Sequence, residues 1–271
     1  MNRNFLAEIL AQKRQAVAQI KSDASTSGLR DRAVELRRNA TPHRLLHALE
    51  SESPRLKIIG EFKRRSPSAG IIRDGLSTAE VARRYERGGA CAISVLTDEE
   101  HFGGSIVDLR AARSSTSLPI LRKDFIVDPI QIYEAAIAGA DAVLLIVAAV
   151  DDVSLKELRK IAEDELALDA LVEVHTLGEL RRALDAGAKI IGVNNRDLQT
   201  LEVSLDTSAR IIAEAPRNRM MISESGLQSP ESLRHLRTRG FRGFLIGEAL
   251  MRATDPEKVL RDLIAEVQIE K

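Results

Sequence analysis

Lys123 sits near the end of the run Leu118-Pro119-Ile120-Leu121-Arg122-Lys123-Asp124-Phe125, an apolar segment that follows a polar turn at Ser114 to Ser117. Side chains in a strand alternate between faces, which puts Leu121, Lys123 and Phe125 on one side. A lysine on an inward face must be desolvated or paired, and either costs free energy. Proton transfer or anion stabilisation at the strand's end is one reason to keep it there; an exposed strand-terminal lysine is the plainer alternative. Other apolar runs end in similar residues: Glu61 and Lys63 after the first, Glu173 on the fifth, Asn194 and Arg196 at the sixth and Glu224 on the seventh. Residues two apart share a face, so Glu61 goes with Lys63 and Asn194 with Arg196. If all point inward, the cations Lys63, Lys123 and Arg196 meet the anions Glu61, Glu173 and Glu224. A purely structural ion-pair network could use the same residues. Charges at so many strand ends fit an active site better than they fit packing.

Which elements would hold them there? From Leu56 onward short apolar runs alternate with amphipathic helical stretches: Leu56–Phe62, Ala92–Thr97, Pro119–Phe125, Ala142–Val147, Ala170–His175, Ile190–Asn194, Met220–Glu224 and Gly243–Gly247. Strands separated by helices imply parallel βαβ units. A glycine junction recurs at Gly89-Ala90, Gly139-Ala140, Gly187-Ala188 and Gly240-Phe241, about 50 residues apart, the length of two βα units in a (β/α)₈ barrel. A doubly wound open sheet that binds a dinucleotide would carry a glycine-rich turn after its first strand. Here that place holds Lys63-Arg64-Arg65-Ser66-Pro67-Ser68-Ala69-Gly70. The expected fold is therefore an α/β protein, a (β/α)₈ TIM barrel, with residues 1–271 forming one domain and residues 1–55 its N-terminal helical extension. Within that extension, helical spacing covers residues 4 to 20 (Phe5, Leu6, Ile9, Leu10, Val17, Ile20) and Val34 to Leu49. A serine-rich turn lies between them, and Thr41-Pro42 marks a fresh start inside the second. Neither stretch carries recognisable chemistry.

Barrel enzymes place their sites at the C-terminal ends of the strands and often hold phosphate in the loops after strands seven and eight. Those loops read Glu224-Ser225-Gly226 and Ile246-Gly247-Glu248-Ala249, with glycines that let backbone N–H groups approach an anion. The Glu248 carboxylate must turn away from a dianion. The loop from Lys63 to Gly70 is basic and has little apolar material to pin it, which suits a mobile lid.

Lys plus Arg equals Asp plus Glu at 40 each, so nothing suggests a nucleic-acid or membrane-surface partner. The single cysteine, Cys91, lies in an apolar run and reads as core; neither a disulfide framework nor a Cys/His metal pattern is expected. Met1-Asn2-Arg3-Asn4 leads into charged amphipathic sequence, and no apolar run is long enough to span a bilayer, so a cytoplasmic protein is expected. His43, His47, His101 and His235 lack ligand-like spacing. His175 is expected to cap the helix that starts near Thr176, and Arg64, Arg65 and Arg122 to be solvated or paired outside the site.

Taken together, Glu61-Phe62-Lys63-Arg64-Arg65-Ser66-Pro67-Ser68, Val95-Leu96-Thr97, Phe102-Gly103-Gly104-Ser105, Leu121 to Phe125, Gly192-Val193-Asn194-Asn195-Arg196-Asp197-Leu198 and Ser223-Glu224-Ser225-Gly226 resemble the motifs of the indole-3-glycerol phosphate synthase family, in the same order along the whole barrel. The resemblance implies ring closure of 1-(2-carboxyphenylamino)-1-deoxyribulose 5-phosphate with loss of carbon dioxide and water, in tryptophan biosynthesis. No fused isomerase half is evident, so a monofunctional chain is expected. By the same resemblance Lys123 is the general acid and Glu173 the catalytic glutamate, with Glu61 and Glu224 nearby and Lys63 a cationic partner for the substrate carboxylate or hydroxyls. Asn194 holds a hydroxyl or amine. Arg196, Ser225, Gly226, Gly247 and Glu248 hold the phosphate, the last two through backbone. Ser66 joins the substrate-binding set, and Phe102, Phe125 and Leu198 line the anthranilate ring. Neither a cofactor nor a metal is expected; the partner is a small phosphorylated substrate, with no nucleic acid, no membrane and at most weak homo-oligomerisation. A Schiff-base aldolase and a barrel that binds a phosphorylated ligand without turnover share the same parts and stay open at this point.

Overall fold

A computed structural model describes residues 5–22, 28–52, 55–73 and 75–267. Its centre is a closed barrel of eight parallel strands: β1 (Ile58–Phe62), β2 (Ala92–Leu96), β3 (Ile120–Lys123), β4 (Ala142–Ile146), β5 (Asp169–Val174), β6 (Ile190–Asn194), β7 (Met220–Glu224) and β8 (Gly243–Ile246). Each strand pairs with the next, and β8 closes the ring onto β1. The register sets the site: Leu96 lies beside Lys123, Ile146 beside Glu173 and Asn194 beside Glu224, so the charged positions come to one rim.

The helices between strands form because they carry an apolar stripe and, in most of them, a side-chain cap at the start. Ser77, Ser105, Asp128, Asp151, Thr176 and Ser229 accept hydrogen bonds from backbone N–H groups in the first turn of the helices they precede. Gly89, Gly139 and Gly240 end three helices in the left-handed conformation, and Gly187 adopts it just past a fourth, so the recurring glycines of the sequence mark the helix-to-strand corners. Apolar side chains fill two layers. One lies between strands and surrounding helices, the other inside the barrel, where Ile59, Leu121, Leu144, Leu171, Ile190 and Ile222 meet.

The N-terminal segment supplies three helices, α1 (Phe5–Ser22), α2 (Leu29–Arg37) and α3 (Arg44–Glu50). The second helical stretch of the sequence splits where Thr41-Pro42 suggests, but it begins at Leu29, not Val34, because Gly28 turns the chain into it. Of the serine-rich turn, residues 23–27 lie outside the described residues, as does residue 4 of the first helical stretch. Asp169, the first residue of β5, accepts from the N–H groups of Leu45 (2.8 Å) and Leu46 (3.0 Å), seating α3 at the N-terminal end of the strands. Leu45 and Leu49 then plug that end of the barrel interior. Among the described residues no helix is long and apolar enough to cross a membrane.

Candidate active site

At the C-terminal rim of the strands a cavity of about 210 Å³ opens. Every residue singled out from the sequence lines it: Glu61, Lys63, Ser66, Phe102, Lys123, Phe125, Glu173, Asn194, Arg196, Leu198, Glu224, Ser225, Gly226, Gly247 and Glu248. Phe102 and Phe125 face each other with ring centroids 6.3 Å apart and form an apolar wall.

The charges sort into two groups. Lys123 Nζ donates to Glu173 Oε2 at 2.9 Å and stands 3.3 Å from Glu224 Oε2. Lys63 Nζ pairs with Glu61 Oε1 at 2.7 Å. Arg196 does not join the ring of inward charges; its guanidinium donates to the Leu201 carbonyl at 2.8 Å, folding the following loop back on itself. The pairing of Lys63 with Glu61 uses the adjacency on β1 that strand alternation predicts.

Burial alone would discharge Lys123, but the carboxylates of Glu173, Glu224 and Glu61 outweigh it and hold the ammonium well above the ordinary lysine range. Burial would likewise protonate Glu173, yet Lys123 and His175 overcome it, and this carboxyl is held far below its usual range. Glu224 ends on the other side of the balance. Its burial, together with repulsion from Glu173 and Glu61, exceeds the pull of Lys123 and pushes it up to about 7. Both Glu224 oxygens are buried without a hydrogen bond, which fits a carboxyl that keeps its proton. Two carboxyls flank one ammonium and have opposite protonation preferences.

Glycines make room for these carboxylates. A Cβ at Gly247 would overlap the Glu61 carboxylate, and one at Gly192 would overlap that of Glu224. For Gly247 this is a steric requirement that the sequence reading, which singled it out for anion approach, did not include. In the loop after β7, Ser225 and Gly226 adopt φ of 68° and 76°, two successive left-handed residues, and for serine that is strained. Asn195 holds the turn: its Nδ2 donates to the carbonyls of Glu224 (2.9 Å) and Ser225 (3.1 Å), while its Oδ1 accepts from the Ser208 N–H. Glu248 turns away as expected, its carboxylate pairing with Arg252 at 3.0 Å.

Four features depart from the sequence reading. Helix α1 is more than packing. Phe5, Leu6 and Ile9 form part of the cavity wall, and Lys13 bridges Asp98 (2.9 Å) and Asp124 (2.7 Å), both nearly fully buried. Lysine at position 13 on an otherwise ordinary amphipathic helix gave no signal of this, since its partners lie far along the chain. Second, β3 stops at Lys123 instead of running to Phe125, because Asp124 is drawn out of the ladder by Lys13, Thr97 and Arg122. Arg122 is paired outside the cavity, as expected. Third, the loop after β1 is tethered. It folds as a short hairpin, Arg65–Ser66 against Gly70–Ile71, with Arg64 forked onto Asp108 (2.6 and 2.7 Å) and Arg65 donating to the carbonyls of Glu99 and Glu100. Its basic residues are what pin it. His175 also behaves differently: Thr176 caps the helix, and the imidazole points instead at Glu173 and Glu179. Cys91 packs partly buried against the interior core, and burial pushes its thiol up to about 12.

Among solved structures the fold resembles thiamine phosphate pyrophosphorylase from Pyrococcus furiosus (TM-score 0.59, 20% identity, 78% of this chain and 95% of that one), which is a likeness of fold alone. Sequence relatives reach much further. The protein called indole-3-glycerol phosphate synthase in Carboxydothermus hydrogenoformans is 48% identical over 266 residues, spanning 96% of this chain and 100% of the relative. The one so called in Koribacter versatilis is 45% identical over 260 residues, spanning 96% and 98%. The sequence profile of indole-3-glycerol phosphate synthase matches residues 6–263, nearly the whole chain with its strand-end charges and its N-terminal helices. The chain belongs to the indole-3-glycerol phosphate synthase family.

Proposed function

We propose that the chain closes 1-(2-carboxyphenylamino)-1-deoxyribulose 5-phosphate to indole-3-glycerol phosphate, with loss of carbon dioxide and water, as a step of tryptophan biosynthesis. The observation that carries the residue roles is the seat of Lys123, a buried ammonium 2.9 Å from Glu173 and 3.3 Å from Glu224 in a cavity with an aromatic wall.

The chemistry follows from that seat. As the aromatic carbon bearing the carboxylate attacks the ribulose carbonyl, charge develops on the carbonyl oxygen. Lys123 stabilises it and donates a proton, giving an alcohol. Loss of carbon dioxide returns electrons to the ring. The alcohol then leaves as water, which needs one proton on oxygen and the removal of one from carbon. Glu224, whose proton affinity is raised toward neutrality, suits the donor, and Glu173, held well below its usual range, suits the acceptor. Lys63 and Asn194 would orient the substrate carboxylate and hydroxyls beside Glu61. The apolar side chains of Phe102, Phe125 and Leu198 would hold the anthranilate ring, with Ser66 on the loop above. Arg196, Ser225, Gly226, Gly247 and Glu248 would receive the phosphate, the last two through backbone N–H groups at the start of the helix Glu248–Arg252. We take residues 1–271 as one working barrel domain in which the extension 1–55 supplies a wall of the site. A cytoplasmic setting and a monomeric or weakly associating state accompany this reading.

A Schiff-base aldolase needs its lysine as a free amine, and the ion pairs that keep Lys123 charged work against that. The test is direct. The chain contains no tryptophan, so mixing it with the carboxyphenylamino substrate should raise indole fluorescence from a low background. Absence of product, or a borohydride-trapped adduct on Lys123, would sink the proposal.

A further inference from the structure

His175 follows β5 directly and is not among the residues assigned above. Its side chain is 12% exposed, set between two carboxylates. Nδ1 lies 3.1 Å from Glu179 Oε2, and that same oxygen accepts the His175 backbone N–H at 2.7 Å, so the ring is fixed twice by one residue of the following helix. Nε2 lies 3.4 Å from Glu173 Oε1, an ion-pair contact longer than a good hydrogen bond. Lys123 occupies the other oxygen, Oε2. Glu179, His175, Glu173 and Lys123 therefore form a line of alternating charge that leads from the helix Leu177–Asp185 into the cavity. Asp197, in the segment after β6, has its carboxyl held below the usual range first by the backbone N–H groups of Thr200 and Gln199, and the His175 imidazole adds to this. The groups facing His175 are thus Glu173, Glu179 and Asp197, with Lys123 beyond Glu173. Burial favours the neutral ring, but the close contact with Glu173, the hydrogen bond to Glu179 and the charges of both carboxylates overcome it and push the imidazole up to about 10.

Ring closure exposes the need for a second cation. While Lys123 is an ammonium, the buried Glu173 carboxylate has a full counter-charge. Once Lys123 has passed its proton to the carbonyl oxygen, that charge is gone, and a carboxylate 1% exposed beside a neutral amine is driven toward protonation. A Glu173 that picks up a proton at that moment cannot remove one from carbon in the dehydration.

We propose that His175 is a positioning residue for Glu173: as an imidazolium anchored by Glu179, it holds the carboxylate in place and keeps it ionised across the interval in which Lys123 is neutral. The proposal rests on the acid and base roles given to Lys123 and Glu173. It assigns His175 no proton transfer to substrate, and it makes Glu179, remote from the substrate, part of the same device.

Two variants test it, His175→Asn and Glu179→Gln, assayed for kcat and KM across pH with wild type alongside. With the cation removed, Glu173 becomes easier to protonate, so the acid limb of the kcat profile should move up by about one pH unit or more, and kcat near neutrality should fall at least ~10-fold. KM should stay within about threefold, since no substrate contact is lost. Glu179→Gln leaves the imidazole in place but loosens and weakens its charge, and should shift the limb the same way by less. It also covers the case in which His175→Asn folds poorly. A kcat that falls equally at every pH, an unmoved acid limb in Glu179→Gln, or wild-type kcat in a folded His175→Asn protein would each overturn the proposal. Failure of the underlying acid and base assignment would look different: wild type would give no product, or Lys123→Ala would turn over as wild type does.

Discussion

Gly247 leaves the space in which Glu61 sits: a Cβ on the glycine would overlap the carboxylate that Lys63 holds at 2.7 Å. The residue after β8, in the loop to which we assign the phosphate, is therefore sterically coupled to a carboxylate on β1. The coupling explains why the residue that follows β8 must be glycine.

Substitutions at 247 and 248 should separate accordingly. Gly247→Ala forces Glu61 to move, at a strain of about 1–3 kcal/mol, and should reduce turnover even with saturating substrate. Glu248→Ser removes only an exposed pair with Arg252, worth roughly 0.3–0.5 kcal/mol, and should leave turnover and phosphate binding near wild type. Inhibition constants for product analogues with and without the phosphate, measured on both variants, check this. If Glu248→Ser weakens the phosphorylated analogue as badly as Gly247→Ala does, the phosphate is held by side chains and not by backbone.

Lys13→Met should loosen helix α1 from the barrel. Asp98 and Asp124 would lose a shared cation; breaking a buried pair of this kind costs about 3 kcal/mol or more, less whatever Arg122 still supplies to Asp124. The urea midpoint should fall, and KM should rise because Phe5, Leu6 and Ile9 no longer hold their part of the wall. An unchanged KM in the destabilised variant would mean that α1 stabilises the barrel without shaping the site.

Glu224 makes a prediction about pH and stability whose sign is opposite to the usual one for carboxylates. Its folded-state value is raised from the ordinary 4.5 to about 7, so between those values the folded chain keeps a proton that the unfolded chain has released. Stability from this group is fully present at acid pH and is lost as pH rises through that window. Glu224→Gln should remove the dependence and become relatively more stable than wild type as pH increases from about 4.5 to 7, a difference readable from urea unfolding at several pH values. A gap that stays constant over that range would mean that Glu224 is ionised in the folded protein.

The barrel was legible because its signals are local and repeated: apolar runs of strand length, capped helices and left-handed glycines at Gly89, Gly139 and Gly240. The site was legible because a barrel gathers strand ends at one rim, so Lys123, Glu173 and Glu224 could be brought together without knowing a single distance. What escaped depends on partners distant in sequence. Lys13 finds Asp124 across more than a hundred residues, and the halt of β3 at Lys123 follows from that contact. The loop after β1 looked loose because it has little apolar material and the partner of Arg64 could not be placed: Arg64 finds a matching carboxylate in Asp108, 44 residues on. His175 was misread for another reason: Thr176 is the better cap and takes that place, which leaves the imidazole to turn toward Glu173.

The central claim is that the Lys123 ammonium delivers the proton for ring closure, and single-turnover measurement of Lys123→Ala tests it most directly. Substrate and enzyme are mixed with enzyme in excess, indole fluorescence is followed, and circular dichroism with binding of a product analogue confirms a folded protein with an intact cavity. Loss of one positioned donor at the reacting oxygen should slow ring closure at least ~10²-fold, while the analogue still binds. Ring closure at near wild-type rate in a folded, ligand-binding Lys123→Ala protein would contradict the account at its centre.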